Sequence, residues 1–597
     1  MEKFQVTLKR GEDIQAFYDD METPGGNLTI PNRKVECDQR LATSRTTGYW
    51  LTIEEAMEVA KDPRVEQVVP QVIIDREQTR ESQVITGRFD KGSSPTGAGT
   101  FTKSDGSTGI KYNVDHKSWG ILRHTETTSR ANWGQDDATS SNRYEDDSVT
   151  IIGSGKNVDI VIVENHSLAP AHPDYVDNYV EYNWGQHFNT ISGGLWPNYT
   201  YSNVDSQDNF GELDNHPTAV TSYACGKLFG IAKDANIYQL STRYGQKKIV
   251  AEGVTDGNGF YTTSDRAFAY IREFHANKPI NPATGRKNPT VVNLSLSTYV
   301  NMSNGITYGS FRGTPNDKGK DGTPYSQSEL QAMGIHQSDS DWTSNTDFQV
   351  TSGVINSDQV DAIAEGVIVI SAAGNDNRYH DAPGGTDYDN YIVDNAYYDY
   401  RDYQFNGQYF YREYYCRGDK FYRSGAINVG ALGPNTDEAR ATFSNYGPAI
   451  HCYVSGQQVP AAANESDIAF GIPYPGEEDN VGTWYTFGFG QGTSYSSPIL
   501  AGFICCLVET YPHMTNDDVK AWIQKHCLIG QMADTGDAIN VDTNTKISID
   551  GSTTTNRIFY WKNYKNTVGN LANNTYGFEG RPETGAVYPR FKKRFKG

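Results

Sequence analysis

Three things are scarce in this chain of 597 residues: cysteine, positive charge and long apolar runs. Its seven cysteines are odd in number and scattered, without the paired spacing of a metal site, so no disulfide framework or zinc ribbon organises the fold. Cys505 and Cys506 adjoin within an apolar helical pattern, which fits packed, reduced thiols and a cytoplasmic setting. Lys and Arg total 52 against 73 Asp and Glu, a formal net charge of −21, which argues against a general nucleic-acid-binding surface. The one basic exception, the tail RFKKRFKG (590–597), reads as a solvated end rather than a docking arm. No segment approaches the ~18 consecutive apolar residues of a membrane span. The N-terminus MEKFQVTLKRGED has no apolar signal core and reads as an immediate strand.

What is present falls into regions. KFQVTL alternates like a strand, EDIQAFYDDM is amphipathic at helical spacing, and TGYWLT, IEEAMEVAKDP and VEQVVPQVI follow as strand, helix and strand. That order predicts a small βαββαβ sandwich. A polar, Gly/Ser/Thr-rich stretch at roughly 85–145 reads as a linker. From 156 onward, NVDIVIVE, NIYQLS, TVVNLSL, GVIVISAAG and AINVGAL are short, nearly continuous apolar runs, with helical segments between them. Such strands are buried on both faces, which predicts a parallel sheet covered by helices, with functional groups at the strands' carboxyl ends.

Four residues stand at strand or helix ends on that rim. Glu164 closes the strand VDIVIVE, His216 precedes Pro217 at a helix entrance, Asn375 follows a strand in ISAAGNDN, and Ser494 opens an apolar helix in QGTSYSSPILAGF. Singly, each has an ordinary reading: a surface carboxylate, a surface histidine, a turn asparagine, a helix cap. Together they supply an acid, a base, an oxyanion donor and a nucleophile, the four parts that acyl transfer by serine requires.

The motifs around them resemble the subtilisin-like serine proteases (the subtilase family) over roughly residues 115–535. VDIVIVE with AHPDY is similar to the family's acid motif, NHPTAV to its histidine motif, ISAAGNDN to its oxyanion motif and GTSYSSPILAG to its serine motif. The resemblance implies an α/β fold: a subtilisin-like parallel sheet flanked by helices, with a small α+β, ferredoxin-like N-terminal domain and a short β-rich C-terminal appendage. The implied divisions are a propeptide- or inhibitor-like domain at 1–82, a linker and the start of the catalytic domain at 83–148, the catalytic domain at 149–545, and the appendage at 546–597. Insertions are expected at about 299–350 and 376–425, the second rich in tyrosine. The resemblance further implies that Glu164, His216, Asn375 and Ser494 are catalytic. Ser295, Leu296 and Ser297 would form an edge that pairs with an extended peptide substrate. Residues 1–82 would be an intramolecular inhibitor.

Several positions depart from the family pattern. Glu164 replaces the usual Asp and is longer by one methylene, about 1.5 Å. Pro217 and Ala219 stand where a glycine and a second histidine are usual, and Ser297 and Thr298 where the edge strand has glycines, which narrows the first specificity pocket. CGKLFGIAK runs straight into the next strand without the loop that often carries calcium, and DKGKDG (317–322) is too degenerate to replace it. No cofactor is therefore expected, calcium being the ion the resemblance leaves open. These departures leave a second reading, a pseudo-protease with a structural or binding role. An unsignalled chain with an RPETG tail resembles proteins of large tailed phages, so cytoplasm or virion is the expected location. The Tyr-rich insertion walls the cleft, makes a protein assembly interface or folds on its own domain.

Overall fold

In the computed structural model the described residues fall mainly within 1–70, 100–125, 151–190, 215–242, 264–335, 347–463, 472–532 and 557–561. The centre of the molecule is an eight-stranded sheet. Its strands run in the order Leu528–Ile529, Arg557–Ile558, Cys452–Ser455, Ile427–Leu432, Ile368–Ala372, Thr290–Leu294, Asp159–Glu164 and Asn236–Ser241. Every neighbouring pair is parallel except the first. Alternate side chains of Asp159–Glu164 enter two different cores, which is why the strand reads as an unbroken apolar run. Ile160 and Ile162 pack with the helices Asn215–Cys225 and Thr493–Thr510, while Val161 and Val163 pack with the helices Ser264–Asn277 and Ser357–Glu365.

The register aligns the carboxyl ends. Glu164 pairs with Ser241, Val163 with Leu294, and Leu294 with Ser371. Asp159–Glu164 also lies at a reversal of winding. The next sheet strand in sequence, Asn236–Ser241, lies on one side of it and the one after, Thr290–Leu294, on the other. Open α/β sheets bind their ligands outside the carboxyl ends at such a switch point.

Residues 1–70 form a separate three-stranded antiparallel sheet with Glu2–Leu8 between Thr46–Leu51 and Val65–Pro70, and two helices, Ile14–Glu22 and Ile53–Val59. Asp13 caps the first helix, and Thr52 with Glu55 forms a capping box on the second. Among the described residues this sheet has three strands, and Cys37 makes an isolated antiparallel bridge to Tyr49.

One expectation changes. The C-terminal segment is not wholly an appendage: Arg557–Ile558 is a strand of the central sheet, and Phe559 and Trp561 lie in the main core. An open sheet edge and large buried aromatics favour that placement over a separate unit. The two insertions meet in one sheet. Ile306–Phe311 and Thr314–Asp317 from the first pair with Tyr391–Asp394 and Glu413–Tyr414 from the second, in one four-stranded antiparallel sheet.

Candidate active site

Glu164 is wholly buried at its strand end, where its carbonyl accepts the Thr242 N–H at 2.7 Å. Its Oε2 lies 3.0 Å from His216 Nδ1. The neighbouring Asn165 is spent elsewhere, its Oδ1 accepting the Thr242 hydroxyl at 2.8 Å, so the strand register delivers Glu164 to the histidine. His216 is the second residue of the helix Asn215–Cys225, with Pro217 in the first turn, where a missing N–H costs no helical bond. Thr218, the next residue, accepts the Ala169 N–H at 3.0 Å and ties the helix entrance to the loop after Glu164. The His216 ring lies 5.7 Å from the ring of Tyr495, in the first turn of the helix Thr493–Thr510.

Asn375 follows the strand Ile368–Ala372 and is fixed by its amide oxygen, which accepts the Thr493 N–H at 2.8 Å and the Thr493 hydroxyl at 2.9 Å. These two bonds fix the orientation of the Asn375 amide. A Cβ built on Gly492 would lie 3.5 Å from Asn375 Nδ2 and 3.7 Å from the Ser494 backbone nitrogen, so these two donors flank one small space. That space opens at the N-terminus of an 18-residue helix, where the peptide dipoles favour negative charge. Gly492 keeps it open and has φ +150°, which side-chain-bearing residues rarely adopt.

If this space receives the oxyanion, Gly492→Ala, whose methyl would fill it, is expected to lower peptide hydrolysis by about 10²–10³, as much as losing an oxyanion donor does. Asn375→Ala, which carries no backbone strain, is expected to match it within tenfold. Initial rates on a peptide amide check both, and parental rates in both would remove this space from the chemistry.

Ser494 is part-exposed at the same rim, and its hydroxyl donates a long 3.4 Å bond to the Ser295 carbonyl. Of the three expected substrate-edge residues, Ser295 and Leu296 are buried and Ser297 is part-exposed. The Ser295 side chain faces inward. Its hydroxyl donates to the Ser494 carbonyl at 2.8 Å and accepts from Asn293 Nδ2 at 2.9 Å. Thr298 lies outside the described residues.

Two supporting residues, Thr493 and Asp174, were not singled out by sequence. Thr493 orients Asn375 and lies inside the GTS motif. Asp174 of the HPDY motif accepts the Ser222 hydroxyl at 2.5 Å and the Leu228 N–H at 2.9 Å, bracing the histidine's helix. Among the described residues, no group of three or more His, Cys, Asp or Glu is arranged to hold a metal ion.

Residues 149–578 match the family model of the subtilase family. No curated protein matches the chain significantly. Similar solved structures include a cold-adapted subtilisin-like serine proteinase, at 15% identity and TM-score 0.36 over 74% of this chain and 98% of the other. The epidermin leader peptide processing serine protease of Staphylococcus aureus is 14% identical, with TM-score 0.42 over 88% and 92%. Fervidolysin from Fervidobacterium pennivorans, a keratinolytic enzyme related to subtilisin, is 14% identical, with TM-score 0.40 over 92% and 60%. Likeness at this level carries no information about substrate.

Proposed function

Since the chain belongs to the subtilase family, we propose that it is an endopeptidase that cleaves peptide bonds through an acyl-enzyme on Ser494. The observation that supports this best is the 3.0 Å contact between His216 Nδ1 and Glu164 Oε2. A base oriented by a buried carboxylate is what a serine hydroxyl needs to become a nucleophile at neutral pH.

In this reading the Ser494 oxygen attacks the scissile carbonyl while His216 Nε2 takes its proton. Glu164 accepts the Nδ1–H, fixes the tautomer and stabilises the imidazolium. Negative charge gathering on the carbonyl oxygen is received by Asn375 Nδ2 and the Ser494 N–H. Collapse expels the amine, which leaves with the proton held on His216, and a water molecule then hydrolyses the ester by the same route. The peptide lies extended along Ser295–Ser297, bonded by backbone.

A serine-directed phosphonate tests the reading. One label per chain is expected, mapping to Ser494, and none on the Ser494→Ala form. An unlabelled parent chain would overturn the proposal and leave a subtilase fold used for binding.

A further inference from the structure

Residues 1–70 do not rest on the rest of the chain through one patch. They share a hydrophobic core with the sheet built from the two insertions. Phe4, Val6, Tyr49 and Leu51 of the N-terminal unit form one buried cluster with Tyr308, Tyr391, Tyr398, Phe410, Tyr411 and Tyr414. Phe4 and Phe410, both buried, meet edge to face at 6.2 Å. The Tyr411 hydroxyl donates to Glu2 at 3.0 Å, and its ring stacks on Tyr397 at 4.4 Å. Arginines brace the receiving side: Arg412 lies over the rings of Tyr391 and Tyr409, and Arg401 over Tyr398 and Tyr308.

A second, polar contact lies on the catalytic domain's helix Ser357–Glu365. Ser44 donates to the buried Asp358 at 2.5 Å, the Thr46 and Ser357 hydroxyls meet at 2.6 Å, and Arg45 donates to Asp361 at 2.9 Å. Arg10 also pairs with Asp361 at 2.5 Å. Arg272, from the helix Ser264–Asn277, bonds both Asp358 at 2.9 Å and the Thr43 carbonyl at 3.2 Å. Removing residues 1–70 would expose the aromatic cluster to water and leave the Asp358 carboxylate without Ser44. A unit of this size also has little core of its own to spare.

We propose that the sheet formed by the two insertions is a dedicated receptor for residues 1–70, which stay bound as a permanent subunit whether or not the connecting chain is cut. The unit is then part of the folded architecture, and the enzyme is not switched on by its departure. Two sites of unlike chemistry on one small unit make release require both to open together, so the retained lifetime exceeds that of either alone.

The test is a chain carrying Ser494→Ala and an added cleavage site for a sequence-specific protease within 85–98. This form has no Ser494 chemistry, so the result is independent of the protease reading, which phosphonate labelling of the parent chain decides by itself. After cutting, the two fragments are expected to co-elute as one particle at about micromolar concentration. Asp361→Asn is expected to speed release about tenfold, and paired Phe410→Ala and Tyr411→Ala about 100-fold or more. Separation of the cut but otherwise unsubstituted chain in native buffer overturns the proposal, with no need for either variant to fold. Retention unchanged in the Phe410/Tyr411 form, with cooperative unfolding intact, overturns the receptor.

Discussion

His216→Ala is expected to lower kcat on a peptide amide by about 10⁶, leaving only the small residual rate that binding and the oxyanion donors supply. The hydroxyl of Ser494 makes only the 3.4 Å contact to the Ser295 carbonyl, which does not remove its proton. A serine hydroxyl is a weak nucleophile without a base, and His216 is the ring that the helix start and Glu164 hold at this rim. The variant should bind peptide with little change, because the proposed substrate edge Ser295–Ser297 follows the strand Thr290–Leu294, whereas His216 stands on a helix. KM is therefore expected to stay within about threefold while kcat collapses, the pattern of an interaction made in the transition state. A loss below about 100-fold would show that another group takes the proton.

Much of this site was legible because parallel strands announce themselves. VDIVIVE, TVVNLSL and VIVISAAG are apolar on both faces, and a sheet that buries both faces leaves only its strand ends for polar work. Once the strands were placed, Glu164, Ser295 and Asn375 had to gather at one edge, since parallel register aligns carboxyl ends. The rest was hidden for identifiable reasons. Pairing between Tyr308 and Val393 joins two segments far apart in sequence, and neither carries a local pattern that names its partner. Arg557–Ile558 is too short to show strand periodicity, and only its place beside Cys452–Ser455 makes it part of the sheet. In sequence the tyrosines around Arg412 left open a cleft wall, a protein interface or a loop folded on its own domain. In the structure they are the shared core between the insertions and residues 1–70, because a tyrosine ring buries well while its hydroxyl finds a partner such as Glu2.

Glu164→Gln is expected to lower kcat by about 10⁴, as the amide analogue does in other serine proteases, by letting the histidine take the wrong tautomer. The less obvious variant is Glu164→Asp, which restores the usual family acid. From sequence alone, whether the extra methylene of Glu164 supports or impairs the triad stayed open. The geometry argues that aspartate would not improve it. The carboxylate already reaches His216 Nδ1 at 3.0 Å, and the strand end is pinned by the Thr242 bond to the Glu164 carbonyl at 2.7 Å. Shortening the side chain by about 1.5 Å opens the contact to roughly 4.5 Å, beyond a hydrogen bond, unless the whole strand end advances. Because the strand pairs on both sides, with Asn236–Ser241 and Thr290–Leu294, that advance is resisted. Glu164→Asp should therefore cost about 10- to 100-fold in kcat, less than the glutamine because the charge survives, and phosphonate labelling should slow in the same order. An aspartate variant as fast as the parent chain, or faster, would mean that the carboxylate and the histidine approach each other differently during turnover, and that the methylene of Glu164 does hold the parent chain back.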